Sequence, residues 1–135
     1  MASDRIRGDK IRKTVILDTS ALLSFFEFSV DWEKELARLL DAYEIAVPEA
    51  VLQELALLSS KGGEKRQKAN AALTYASRYK TVETKATHAD EAVVESVKKV
   101  QGIVFTNDTA LRHRLQKEHI PVLLLRGRKK LALEE

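Results

Sequence analysis

Three observations predict an α/β fold of three layers, with helices on both faces of a mainly parallel sheet of about five strands. Short apolar runs recur along the chain, amphipathic helical stripes separate them, and turn residues stand at the junctions. Apolar runs without alternation are buried on both faces, as parallel strands are. The chain has 135 residues and no cysteine. Such a length suits one domain of roughly 100–150 residues, whose core needs neither disulfide nor structural zinc. Absence of cysteine excludes thiolate metal sites and fits a reducing, cytoplasmic location. No signal peptide is evident, and no apolar run approaches the roughly 18–20 residues of a membrane span.

Taken in order, Val15-Ile16-Leu17 is the first strand, and Trp32, Leu36, Leu39 and Leu40 form the first long helical stripe. Residues 44–47 make a weaker strand, and Pro48 stands where the next helix begins, with Val51, Leu55 and Leu58 on its apolar side. Gly62-Gly63 separates that helix from a basic one over 64–80, and residues 80–84 form another weak strand. Ala89, Val93, Val94, Val97 and Val100 mark a helix that Gly102 closes before the strand Ile103-Val104-Phe105. Leu111 and Leu115 mark a short helix, and Val122-Leu123-Leu124-Leu125 follows Pro121. Basic residues crowd both ends, so residues 1–13 and 126–135 read as arms flanking a domain over 14–125. Phe25, Phe26, Phe28, Trp32, Tyr43 and Phe105 read as core or as an oligomer interface.

Ligands of open α/β sheets bind beyond the carboxyl ends of the strands. Asp18 follows the first strand there, and Asp108 follows Ile103-Val104-Phe105. Glu54 lies three residues after Val51, and Asp90 three and four before Val93 and Val94, so both are expected to face inward. Each acid has a plainer reading. Asp18 and Asp108 can cap the helices that follow them, Thr87-x-x-Asp90 resembles a capping box, and Glu54 can pair with Lys61 or Arg66. One shared cation accounts for all four together, and hard oxygen ligands suit Mg²⁺ or Mn²⁺. His88, His113 and His119 form no spaced ligand set, although His88 stands two residues from Asp90.

In the runs Val15-Ile16-Leu17-Asp18-Thr19-Ser20, Val47-Pro48-x-x-Val51-Leu52-x-Glu54, Ala89-Asp90-Glu91-Ala92-Val93 and Thr106-Asn107-Asp108-x-x-Leu111, the sequence resembles the PIN-domain ribonucleases. The likeness runs from about Thr14 to Leu125, in the family's order, and is greatest to the archaeal and eukaryotic branch that processes rRNA. It implies a catalytic, metal-binding set of Asp18, Glu54, Asp90 and Asp108, with Glu54 acting directly or through water on one or two Mg²⁺ or Mn²⁺ ions. Ser20, Thr106 and Asn107 would be supporting residues and Glu91 an auxiliary acid. The resemblance further implies RNA cleavage, structured rRNA and ribosome-assembly proteins as partners, and a homodimer.

An excess of 23 Lys+Arg over 20 Asp+Glu is small, but the bases are unevenly placed. Lys65, Arg66, Lys68, Arg112, Arg114, Lys117, Arg128, Lys129 and Lys130 are the candidates for holding RNA phosphates beside an acidic cleft. Each also has the plain reading of a solvated helix face. No Gly-x-x-x-x-Gly-Lys loop is present, and Ser20 stands where a haloacid-dehalogenase phosphatase would need a second Asp. Two alternatives stay open: a toxin-type ribonuclease of a toxin–antitoxin pair, and a non-catalytic RNA-binding module.

Overall fold

The computed structural model describes residues 12–135. The reading of Arg5, Arg7 and Lys10 as an arm falls outside them. Chain order is β1 (Lys13–Leu17), α1 (Thr19–Ser24), α2 (Trp32–Leu40), β2 (Tyr43–Pro48), α3 (Glu49–Ser60), α4 (Glu64–Ala76), β3 (Lys80–Val82), α5 (Ala89–Val100), β4 (Ile103–Phe105), α6 (Thr109–Lys117), β5 (Val122–Arg126) and β6 (Lys130–Glu134). The sheet runs β3-β2-β1-β4-β5-β6, with the first five strands parallel and β6 antiparallel to β5. Helices flank it in the expected three layers. No helix among the described residues is long and apolar enough to cross a membrane.

The central strands β1 and β4 are fully apolar where they pair, Val15 with Ile103 through Leu17 with Phe105, and all six residues are buried. Val51 and Leu55 of α3, and Val93 and Val97 of α5, join the same core. Phe25, Trp32, Phe105 and Tyr75 stack beside it, with Phe25 and Trp32 ring centroids 4.7 Å apart. Phe26 remains largely exposed.

Residues 126–135 differ from the predicted basic tail, because they turn back and complete a sixth strand. Gly127 and Arg128 both take positive φ, +64° and +61°, as the tight turns of twisted hairpins require. Leu131 is buried, and α2 reaches over to this edge: Leu131 N donates to Glu35 Oε1 at 3.0 Å and Arg38 Nη2 donates to Leu131 O at 3.0 Å. Charges at Lys130 and Glu134 frame only three apolar residues, which is why the strand reads as a polar tail in the sequence.

Gly102 also has a different reason for being glycine. Gln101, not Gly102, takes the left-handed conformation that ends α5 (φ 52°, ψ 48°), and Gly102 N donates back to Val97 O at 3.1 Å. A Cβ on Gly102 would lie 2.3 Å from the Thr14 carbonyl oxygen in β1. Gly102→Ala is therefore expected to push β4 from β1 and cost about 1–3 kcal/mol of stability, the usual penalty of overpacking. Urea unfolding checks this; an unchanged midpoint would contradict the close approach.

Candidate active site at the carboxyl ends of the strands

Strand order reverses direction between β1 and β4: the chain steps outward from β1 to β2 and β3, then returns to the other side of β1. Such a reversal opens a crevice at the carboxyl ends of the two strands. Asp18 and Asp108 are delivered to its two sides.

Asp18 is buried, and each of its oxygens is held. Ala21 N donates to Oδ1 at 2.9 Å and Ser20 Oγ at 2.8 Å, while Thr106 Oγ1 donates to Oδ2 at 2.6 Å. Those two hydroxyls accept in turn: Asn107 N donates to Ser20 Oγ, and Asp108 N to Thr106 Oγ1, both at 3.0 Å. The side chain of Asn107 faces the next strand, its Oδ1 accepting from Leu125 N at 3.0 Å. Ser20, Thr106 and Asn107 thus lace β1, β4 and β5 together around one carboxylate. The capping reading of Asp18 and Asp108 holds as well, since Asp108 Oδ1 accepts from Leu111 N at 3.0 Å.

Glu54 and Asp90 reach the same crevice but are exposed, contrary to the expectation that they point into the core. At about 100° per residue, Glu54 stands roughly 60° from Val51, at the margin of the stripe. Its carboxylate accepts from Thr19 Oγ1, which ties α3 to the residue after Asp18. Asp90 lies on the stripe's own azimuth but in the first turn of α5, where burial begins only at Ala92. The helix starts at Ala89 with His88 at its cap and no side-chain capping bond, so the Thr87 capping box does not form. Charge repulsion links Asp90 to both Asp108 and Glu54, and Asp18 to Asp108.

Several predicted partners are engaged otherwise. Glu91, expected to be an auxiliary acid, pairs with Arg114, and its charge also acts on Asp90. Lys68 lies 3.6 Å from Glu27. Lys65, Arg66, Lys117, Lys129 and Lys130 are exposed, and Arg112 and Arg128 line one pocket beside Ser20 and Asn107. His88 and Glu54 line a second, smaller cavity. Glu27, Phe28 and the Arg112–Arg128 pairing were not singled out by the sequence as parts of one site. They meet only because the β5–β6 turn folds over the end of α1.

Among the described residues, no three acidic or imidazole side chains close on one point as a ready-made ion cage. The donor chemistry nevertheless fits a hard divalent cation. Neither oxygen of Asp90 and only one of Asp108 accepts a hydrogen bond among the described residues, and these charges repel across open solvent.

The profile of the PIN-like domain matches residues 15–128. Over 120 residues, 85% of this chain and 92% of the relative, the sequence is 32% identical to Ribonuclease VapC4 of Methanocaldococcus jannaschii. It is 29% identical to Ribonuclease VapC9 of Archaeoglobus fulgidus over 135 residues, 99% of this chain and 98% of the relative. The fold is similar to that of the PIN domain endonuclease Utp24, with a TM-score of 0.73, 27% identity and 90% of each chain covered. A domain of a functionally unknown protein from Methanocaldococcus jannaschii shares the fold at a TM-score of 0.64 and 20% identity, over 91% of this chain and 95% of that one.

Burial raises the Asp18 carboxyl from its ordinary 3.8 to about 6, against the lowering effect of its Thr106, Ala21 and Ser20 donors, and Asp108 adds to the rise. Burial likewise raises Asp90, with Asp108 and Glu54 adding to it. Folded Asp18 thus keeps its proton to higher pH than the unfolded chain does, so stability falls as pH rises from about 4 to about 6. The expected loss is about 3 kcal/mol, from about 1.4 kcal/mol per pKa unit. Asp18→Asn should flatten that slope in chelator-treated protein and raise its denaturation midpoint at pH 7. Parallel pH profiles for the two proteins would refute the assignment.

Proposed function

The chain belongs to the PIN-like domain family, and from that membership we propose that it is a divalent-metal-dependent endoribonuclease. The observation that carries the reading is the meeting of Asp18 and Asp108 at the switch point, with Asp90 and Glu54 electrostatically coupled to them. A module that only binds RNA has no use for such a cluster, because RNA is itself an anion.

Asp18, Asp90 and Asp108 would hold one or two Mg²⁺ or Mn²⁺ ions, with Glu54 acting directly or through water. Such ions supply Lewis-acid polarisation of the phosphodiester and a bound water of lowered pKa. The chain's own contribution is position. Thr106 and Ser20 fix the two oxygens of Asp18, and the Thr106 hydroxyl and the helix cap together set Asp108. Thr19 holds Glu54 within reach of the same crevice.

Both sequence relatives carry the VapC ribonuclease name, that of the toxin-type branch. They therefore favour a toxin-type ribonuclease, and with it mRNA or tRNA as substrate, over a role in rRNA processing. The sequence resemblance to the rRNA-processing branch keeps rRNA cleavage as the second reading, and the likeness to the endonuclease Utp24 fits either. A panel of tRNA, mRNA and rRNA fragments separates the two by which class is cut at a defined position.

Asp18→Asn should reduce Mn²⁺-dependent RNA cleavage to background while the protein stays folded, and chelation should do the same to the unaltered chain. Thr106→Val, which frees Asp18 Oδ2 and Asp108 N of their shared hydroxyl, should lower cleavage by about 10–100-fold, as loss of a ligand-orienting partner does. Full activity in Asp18→Asn would sink the catalytic reading. Full activity in Thr106→Val alone would remove only its supporting role.

A further inference from the structure

A cavity of about 400 Å³ opens directly beside the acidic crevice, between the end of α1 and the β5–β6 turn. Ser20 and Asn107 belong to its wall, the first donating to Asp18 and the second preceding Asp108. From α6, Arg112 enters it with Nε buried and without a hydrogen-bond partner among the described residues. Burial of Nε fixes the stem of the side chain, and the residue lines the cavity as a cation. Arg128 enters from the opposite wall, its guanidinium carbon 5.7 Å from the centre of the Phe28 ring. It does so from a backbone conformation, φ +61°, that an arginine adopts only at a cost. Glu27 also lines the cavity, with Lys68 3.6 Å from its carboxylate.

We infer that, given the ribonuclease activity proposed above, this cavity seats one unpaired nucleotide of the RNA next to the phosphate that is cut. Arg112 and Arg128 hold that nucleotide's phosphate as charge-assisted donors. The base takes the place of the Arg128 guanidinium over the Phe28 ring as that side chain turns to the phosphate. Glu27 can only accept hydrogen bonds when ionised, so it favours a base that presents N–H groups. A nucleotide placed in this cavity must leave any helix it belongs to. Substrate length and the placing of the cut are thus read by a pocket adjoining the acids rather than by the acids themselves.

The test is Mn²⁺-dependent cleavage of a single-stranded RNA dodecamer by the full chain. After the cut is mapped, each base in turn is replaced by an abasic residue. For the unaltered protein, losing the one base beside the cut should lower kcat/KM by about tenfold, and losing distant bases should matter little. Arg128→Gly suits the +61° backbone and so keeps the fold, while Arg112→Met keeps the aliphatic stem. Both variants, and Phe28→Ala, should lower kcat/KM on intact RNA by about tenfold, chiefly through KM. In Phe28→Ala the sensitivity to the missing base should disappear, whereas Arg112→Met and Arg128→Gly, which lose only a phosphate contact, should keep it. Variants that cleave and discriminate like the unaltered chain would overturn the pocket assignment and leave the ribonuclease reading standing. If those RNA readouts are unchanged while Arg112→Met and Arg128→Gly lose binding to a hexaglutamate peptide, the cavity takes a protein segment and the proposal fails. A chain that cuts no RNA at all overturns both readings.

Discussion

Asp18 is gripped from two strands at once, and the acidic edge takes its position from that grip. Donors from the start of α1 and from the end of β4 meet on its two oxygens, although Thr106 is 88 residues further along the chain. The same hydroxyls carry backbone N–H groups of Asn107 and Asp108, so the carboxylate and the β4–α6 corner are held together. This arrangement is possible only because β1 and β4 are parallel neighbours in register, Leu17 beside Phe105. A carboxylate kept under these conditions resists ionisation despite three donors. The fold accepts that electrostatic disadvantage at the switch point of its sheet, a common compromise at functional sites.

Charge elsewhere is distributed less simply than the sum of 23 bases and 20 acids suggests. Arg114 with Glu91, Lys98 with Glu118, Arg126 with Glu134 and Arg38 with Glu35 are ion pairs that cancel locally. What the fold leaves less compensated is the set of acids in the crevice and the arginines beside it. An anionic polymer is therefore drawn to the rim and repelled from the centre until cations enter.

Much of this was legible in the sequence because it is local. An apolar run followed by Asp fixes both the strand and the place of the carboxylate, directly for Asp18 and after Thr106-Asn107 for Asp108. Helical periodicity gave the azimuths of Glu54 and Asp90 but not their height along the helix axis, so their exposure was hidden. Gly102 was legible as a punctuating residue, whereas its close approach to Thr14 belongs to strand pairing. The strand Lys130–Glu134 was obscured by its charged ends, since an edge strand needs few apolar residues. The cavity around Arg112 combines α1, α6 and the β5–β6 turn, which no sequence window spans.

The attachment of α2 to β6 bears on self-association. Edge strands invite a second copy by offering free backbone N–H and C=O groups. Here Glu35 and Arg38 already occupy both groups of Leu131, while the opposite edge, β3, is only three residues long. Neither margin of the sheet is a good template for strand-to-strand extension.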